Sequence, residues 1–323
     1  MRIDSWIGTN RDIGAQRTES RSTDGRRPRS SFRIRPRVKV STMRTARPTP
    51  FDRLSSRERE IGEAVIADLA THAWARPLIT IVNQSGGPTA TNKAQMFELR
   101  FGRALSRVGV APHYEVPGEG QSTLDFGFIS GEQPWAVELM RLEETQAARN
   151  ATFTATDGIG TPWFGRHLYS NAEDVRQSIE GETLKSVERI CQKCEKDGQP
   201  HKFPVPRGTY HAILVDMSAF LNAGGDRWDR IHIGLGGEYV APGHRMHWNG
   251  KVVTGVFHPN TSLRGAREAR ERVHFIGFVN EPMRDLDEFS VSTQFVANPN
   301  LFTNSNAVRV AIATWPLQPA TVL

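Results

Sequence analysis

The 323 residues carry 41 Lys and Arg against 35 Asp and Glu, but the net charge of +6 is unevenly spread. Residues 1–50 hold 12 Arg and 1 Lys against 4 acidic residues, a net +9, while the other 273 hold 28 basic and 31 acidic residues, a net −3. No apolar run of about 18 residues occurs, so no membrane span is expected; no secretory leader is expected; and two cysteines, Cys191 and Cys194, exclude a disulfide scaffold and point to a reducing, cytoplasmic setting.

Residues 1–50 are rich in Arg, Ser, Thr and Pro, with almost no periodic apolar residues, and read as a disordered basic tail. Such a tail could be a nucleic-acid-binding arm, a solvated segment, or an over-extended start ahead of Met43. The first element is a helix over "SSREREIGEAVIADLATHAW": Ser55 and Glu58 form a capping box, and Ile61, Val65, Leu69 and Trp74 keep helical spacing. "RPLITIVNQSGG" predicts a short strand and a glycine turn. "TNKAQMFELRFGRALSRVG" predicts a second helix with Phe97, Phe101, Ala104, Leu105 and Val108 as its stripe, closed by Gly109. Three strands follow in "APHYEV", "STLDFGFI" and "WAVELMRL". A polar region spans 143–170. A long helical stretch then runs through "NAEDVRQSIEGETLKSVERICQKCEKDG", with a break near Gly181. "YHAILVDMSAF" is a strand of the buried kind. Loops over 222–250 and two more strands, "RVHFIGFV" and "VRVAIATW", complete the chain. Hairpin strands first and a helix-to-strand crossover later predict an α/β fold with a mixed sheet.

The hairpin carries the chemistry. Side chains alternate across a strand, so Leu124, Phe126 and Phe128 share one face with Trp135, Val137 and Leu139. Asp125 and Glu138 then project together from the opposite face, with Met140 two residues on. Two carboxylates on adjacent strands repel unless a cation lies between them. Hard divalent ions take such oxygen ligands together with water and phosphate oxygens, so the pair reads as a metal site open to a phosphodiester. The plain alternative is two solvent-facing acids on a half-exposed sheet. Glu98, at the edge of the second helix's core stripe, adds a third acid, and Gly127 leaves room for a ligand near the backbone.

On these residues, "FELRFGRAL", "STLDFGF" and "WAVELMRL", the chain resembles the PD-(D/E)XK nuclease superfamily over about residues 90–220. The resemblance implies a restriction-endonuclease-like mixed sheet flanked by helices, with a C-terminal β-rich elaboration. It divides the chain into the tail 1–50, a nuclease-like core 51–220 and an extension 221–323 packed on that core. It implies Mg²⁺-dependent hydrolysis of DNA, with Mn²⁺ as a substitute. Asp125 and Glu138 would hold the ion with the Leu139 carbonyl, and Glu98 would bind a second ion or orient water. The family's lysine position falls on Met140, which can neither activate water nor neutralise a phosphate. Lys185, Arg189 and Gln192 share a face of the next helix, and Lys185 is the residue expected to supply the missing cation; Lys193 lies nearby. The rival reading is an inactive nuclease fold that binds nucleic acid or another protein. A homodimer stays open under either.

Elsewhere, one Cys-x-x-Cys supplies only half of a structural zinc set. His232, His244, His247 and Asp229 are a loose transition-metal candidate, with polar loop residues as the simpler reading. Asp216 reads as a cap or a fourth acid. Arg264, Arg267, Arg270 and Arg272 could meet phosphates, or form a salt-bridged helix with Glu268 and Glu271. No Walker, dinucleotide or Gly-x-Ser-x-Gly motif occurs.

Overall fold

A computed structural model describes residues 53–143, 146–156, 162–166, 178–218, 225–279 and 293–323. The expected basic tail and much of the polar region 143–170 lie outside these. Helix α1, Ser56–Leu69, starts at the expected capping box: Ser55 Oγ accepts from the Glu58 N–H at 3.1 Å and Glu58 Oε2 from the Ser55 N–H at 2.8 Å. Helix α2, Arg76–Gln84, stands where a strand was expected. Its Ile, Thr and Val favour strands by propensity. Pro77 in the first turn and the burial of Leu78 and Val82, four residues apart, outweigh them. Helix α3, Lys93–Arg107, carries Glu98.

Strands β1 (His113–Pro117), β2 (Thr123–Ser130) and β3 (Gln133–Arg141) form an antiparallel meander. Short elements α4 (Gln146–Ala151), β4 (Thr152–Thr156) and β5 (Pro162–Arg166) follow. Helix α5, Ile179–Gln192, is capped by Ser178, whose Oγ accepts from the Gly181 N–H at 2.9 Å. A small ribbon, β6 (Glu195–Lys196) and β7 (Gln199–Pro200), leads to β8, Tyr210–Asp216, which returns parallel to β3.

The described residues after 220 are less β-rich than expected. They form α6 (Arg227–Gly234), the ribbon β9 (His247–Trp248) and β10 (Lys251–Val252), α7 (Ala266–Arg272), β11 (Phe275–Val279), β12 (Thr293–Ala297), α8 (Ser305–Ala313) and β13 (Ala320–Val322). The run "VRVAIATW", expected as a strand, lies largely in α8. Asn304 Oδ1 caps that helix by accepting from the Ala307 N–H at 2.9 Å, and only one side is buried, through Ala311 and Ile312.

The result is α/β: a seven-stranded mixed sheet, β1-β2-β3-β8-β11-β12-β13, with helices on both faces. One core joins α1, α2, α3 and α8 to Phe126, Phe128, Trp135, Leu214, Phe275 and Phe295. The other joins α5, α6 and α7 to Ala136, Met140, Ile213, Val215, Ile276 and Phe278. The alternation of β8 and β11 supplies both cores, which explains their unbroken apolar runs. Among the described residues no helix is long and apolar enough to cross a membrane.

Candidate active site

The regular alternation expected of the hairpin fails at one point. Phe126 and Phe128 pack under α3, but Leu124 packs in the opposite core. The ladder from β2 to β3 runs only as far as Phe126 opposite Val137. Beyond it, Asp125 Oδ2 accepts the Leu139 N–H at 2.7 Å, so a carboxylate takes the place of a strand partner. Across from Asp125 on β1, Glu115 adopts a left-handed φ of 55° between Tyr114 and Val116, and these two neighbours also face opposite cores. Non-glycine residues in this region cost on the order of 1–3 kcal/mol and persist where the surroundings impose them. The space beside Gly127 is taken by Val116, whose Cγ1 would lie 2.8 Å from an added Cβ, and so is not open to a ligand.

The splayed strands open a cleft of about 760 Å³ lined by Glu98, Asp125 and Glu138, the three acids expected of the sequence. Glu138 is 1% exposed. Lys193 Nζ lies 2.8 Å from its Oε1, and Lys202 Nζ 3.0 Å from its Oε2. The second contact lacks hydrogen-bond alignment and leaves Oε2 a buried acceptor with charge but no hydrogen bond. Glu98 accepts from the Tyr114 hydroxyl at 3.1 Å. Burial pushes the Glu98 carboxyl up to about 7; the Tyr114 bond pulls the other way, and the Glu138 charge adds to the rise. Asp125 is pushed up to about 8, first by burial and then by the charges of Glu138 and Glu98. Burial acts to lower the Lys193 ammonium, but the Glu138 charge and hydrogen bond win and hold it above its usual value. In the metal-free cleft Asp125 and Glu98 therefore hold their protons up to neutral pH, and a bound cation would favour their ionised forms.

Lys185 does not line this cleft. Its Nζ pairs with Glu182 Oε1 at 3.4 Å in an adjoining depression, two helical turns from Lys193. The lysines that reach Glu138 come from the C-cap of α5 and from the segment after β7. Sequence spacing gave no signal for Lys202, because it lies 64 residues beyond Glu138, outside any strand ladder. Structure supplies that signal. Lys202 has a left-handed φ of 64°, and the turn between β1 and β2 grips its backbone. Its N–H donates to Ser122 Oγ at 3.0 Å and its carbonyl accepts the Glu119 N–H at 2.9 Å. Any Cβ at Gly118 would lie 2.4 Å from that carbonyl, so glycine is required there. Arg272 of α7 closes the clamp, with NH1 3.2 Å from Glu119 Oε2 and 3.0 Å from the Phe203 carbonyl.

Met140 borders the cleft while packing into the α5 core at 8% exposure. Arg141 also lines the cleft, paired with Asp216 at 3.3 Å. Asp216 also caps the following turn through the Ser218 N–H at 2.9 Å, so it serves as a cap and counter-ion, not as a fourth acid. Cys191 and Cys194 are buried core thiols, and burial pushes the Cys191 thiol up to about 12. His232 is committed on both nitrogens, to the Trp228 carbonyl at 2.7 Å and the Met246 N–H at 3.0 Å, while Asp229 belongs to the capping box of α6. Arg264 pairs with Glu195 at 2.6 Å and Arg270 holds the carbonyls of His258 and Thr261, so the basic helix spends these charges on the fold.

No protein-family model matches the chain, and neither the curated proteins nor the solved structures offer a significant match. What the site can do therefore rests on its own geometry. Glu98, Asp125 and Glu138 offer carboxylate oxygens, the donors a hard divalent ion takes, and Asp125 and Glu138 are the two that could hold one. Among the described residues no three acidic, His or Cys side chains are already gathered as a ligand set.

The raised Glu98 carboxyl has a consequence for stability. The folded protein keeps this proton to about pH 7, whereas the unfolded chain releases it near 4.5. The penalty of ionising Glu98 in place is therefore absent below about pH 4.5, grows through the window up to about 7, and is complete above it. Glu98→Gln, which still offers Tyr114 an acceptor, is expected to exceed the metal-free wild type at pH 8 by on the order of 1–2 kcal/mol. That advantage closes by about pH 5. Urea unfolding midpoints across this range check it.

Proposed function

We propose that the chain is a metal-dependent phosphodiesterase acting on DNA, with a PD-(D/E)XK-like site. The observation that carries this reading is the convergence of Glu98, Asp125, Glu138, Lys193 and Lys202 on one cleft. The order α3-β1-β2-β3-α5-β8, with β3 and β8 parallel, also agrees with the resemblance. Asp125 and Glu138 would hold Mg²⁺, which supplies charge neutralisation at the phosphate and an acidified water. Glu98, oriented by Tyr114, is placed to orient that water and take its proton. The water oxygen forms the new bond to phosphorus as the bond to the leaving oxygen breaks. Lys202 stabilises the charge gathering on the phosphoryl oxygens, the task that Met140 cannot perform. The two lysines favour this reading over an inactive binding module, because they restore the chemistry the methionine removes.

The test is cleavage of plasmid and oligonucleotide DNA with Mg²⁺ or Mn²⁺, comparing wild type with Asp125→Ala. Metal-dependent cleavage lost in the variant is the expected result. Cleavage that persists unchanged in Asp125→Ala, or a wild type that never cuts, would end the proposal.

A further inference from the structure

Lys185, outside the acid cleft, belongs to a basic side of α5. Lys185, Arg189 and Lys193 recur every four residues along the helix and its C-cap. They lie on one side of it, spaced about 6 Å apart along the axis. The three divide the adjoining spaces between them. Lys193 lines the acid cleft, Lys185 the neighbouring depression of about 390 Å³, and Arg189 borders both. The two spaces also share Met140, Arg141, Glu143 and Gln192, so they form one path past the end of β3.

The cations on this path are available. Arg189 is exposed and makes no ion pair among the described residues. Lys185 is held only by Glu182 at 3.4 Å with its side chain 36% exposed, a pair of the kind that contributes little and exchanges readily. Three acids share the path: Glu182, paired with Lys185, and the exposed Glu188 and Glu143, which can turn to solvent; Glu188 accepts from Gln192 Nε2 at 3.2 Å.

We infer that α5 is a phosphate track: Arg189 and Lys185 bind successive backbone phosphates of a nucleic-acid strand leading out of the acid cleft. The 6 Å step matches the separation of neighbouring phosphates along an extended strand. The ligand is therefore a polynucleotide, not a mononucleotide or an isolated phosphate ester. This inference rests on the phosphodiesterase reading above.

The test is fluorescence anisotropy with labelled single-stranded 12-mers of DNA and of RNA, in Ca²⁺, across a salt series. A labelled dinucleotide is measured alongside. The Lys185→Ala/Arg189→Ala double variant is expected to bind the 12-mer at least 10-fold more weakly. Its slope of log affinity against log salt should shrink by about 1.4, two phosphate contacts at ~0.7 each for a single strand. Dinucleotide binding should stay unchanged. Arg309→Ala, a charge outside both spaces, should change neither. A slope loss in either arm supports the track and names the strand it takes. A wild type that binds the 12-mer with a slope equal to that of the double variant overturns the track alone, as does an equal loss in Arg309→Ala. A wild type that binds no 12-mer fails the phosphodiesterase reading itself.

Discussion

Glu138→Gln is expected to abolish metal-dependent cleavage, by about 10³-fold or more, equivalent to ~4 kcal/mol of transition-state stabilisation. Glu138 is the most enclosed of the three acids and the one to which both lysines are tied. The exchange removes a negative charge from the cleft but keeps an amide oxygen for Lys193. Breaking a fully buried ion pair costs about 3–5 kcal/mol because a charge is stranded. Here the surviving charges belong to Lys193 and Lys202, whose side chains are 34% and 20% exposed and can turn to water. The stability loss is therefore expected to stay near 1–2 kcal/mol, the range of an ordinary single substitution. Cleavage assays beside urea unfolding separate the two effects. Full activity in a folded Glu138→Gln would remove the cleft from the chemistry.

How far the sequence disclosed this site depends on which physical signal each part used. The capping box at Ser55 and Glu58 is local and appears as expected. Strands β1, β2, β3, β8 and β11 are marked by apolar runs bounded by turns, and these too were legible. The errors arise where local preference and packing disagree. In α2 and α8, β-branched residues suggested strands, yet buried neighbours at helical spacing and a first-turn proline or an asparagine cap decide the outcome. The acids were found because charge in an otherwise apolar hairpin is costly and therefore informative. The break at Asp125 was invisible, because it depends on a side chain replacing a backbone partner and on the left-handed Glu115 opposite. Lys202 was invisible for a similar reason. Its position is set by the backbone clamp of Gly118, Glu119, Ser122 and Arg272, and no spacing rule links those residues to Glu138.

That clamp singles out Lys202 over Lys193 as the residue standing in for the missing lysine. Lys193 ends a helix and is the more exposed of the two. Lys202 is held in a left-handed conformation by contacts on both sides of its peptide, a strained geometry of the sort found where a side chain must be aimed. Lys202→Met is accordingly expected to lower single-turnover cleavage by about 10²–10³-fold, the scale of removing one preorganised donor to a developing oxyanion. Lys185→Met should leave this rate unchanged at saturating DNA. The deciding variant is Lys202→Met/Met140→Lys. Residue 140 borders the same cleft two positions after Glu138, so a lysine there can extend its ammonium to the acids while its stem replaces the buried methionine. Activity recovering at least tenfold over Lys202→Met is the expected outcome. It would show that the chemistry needs an ammonium in the cleft irrespective of the strand or loop that delivers it. Lys202→Met cutting at the wild-type rate would instead hand the role to Lys193, and with it the argument that backbone strain marks the working residue would fall.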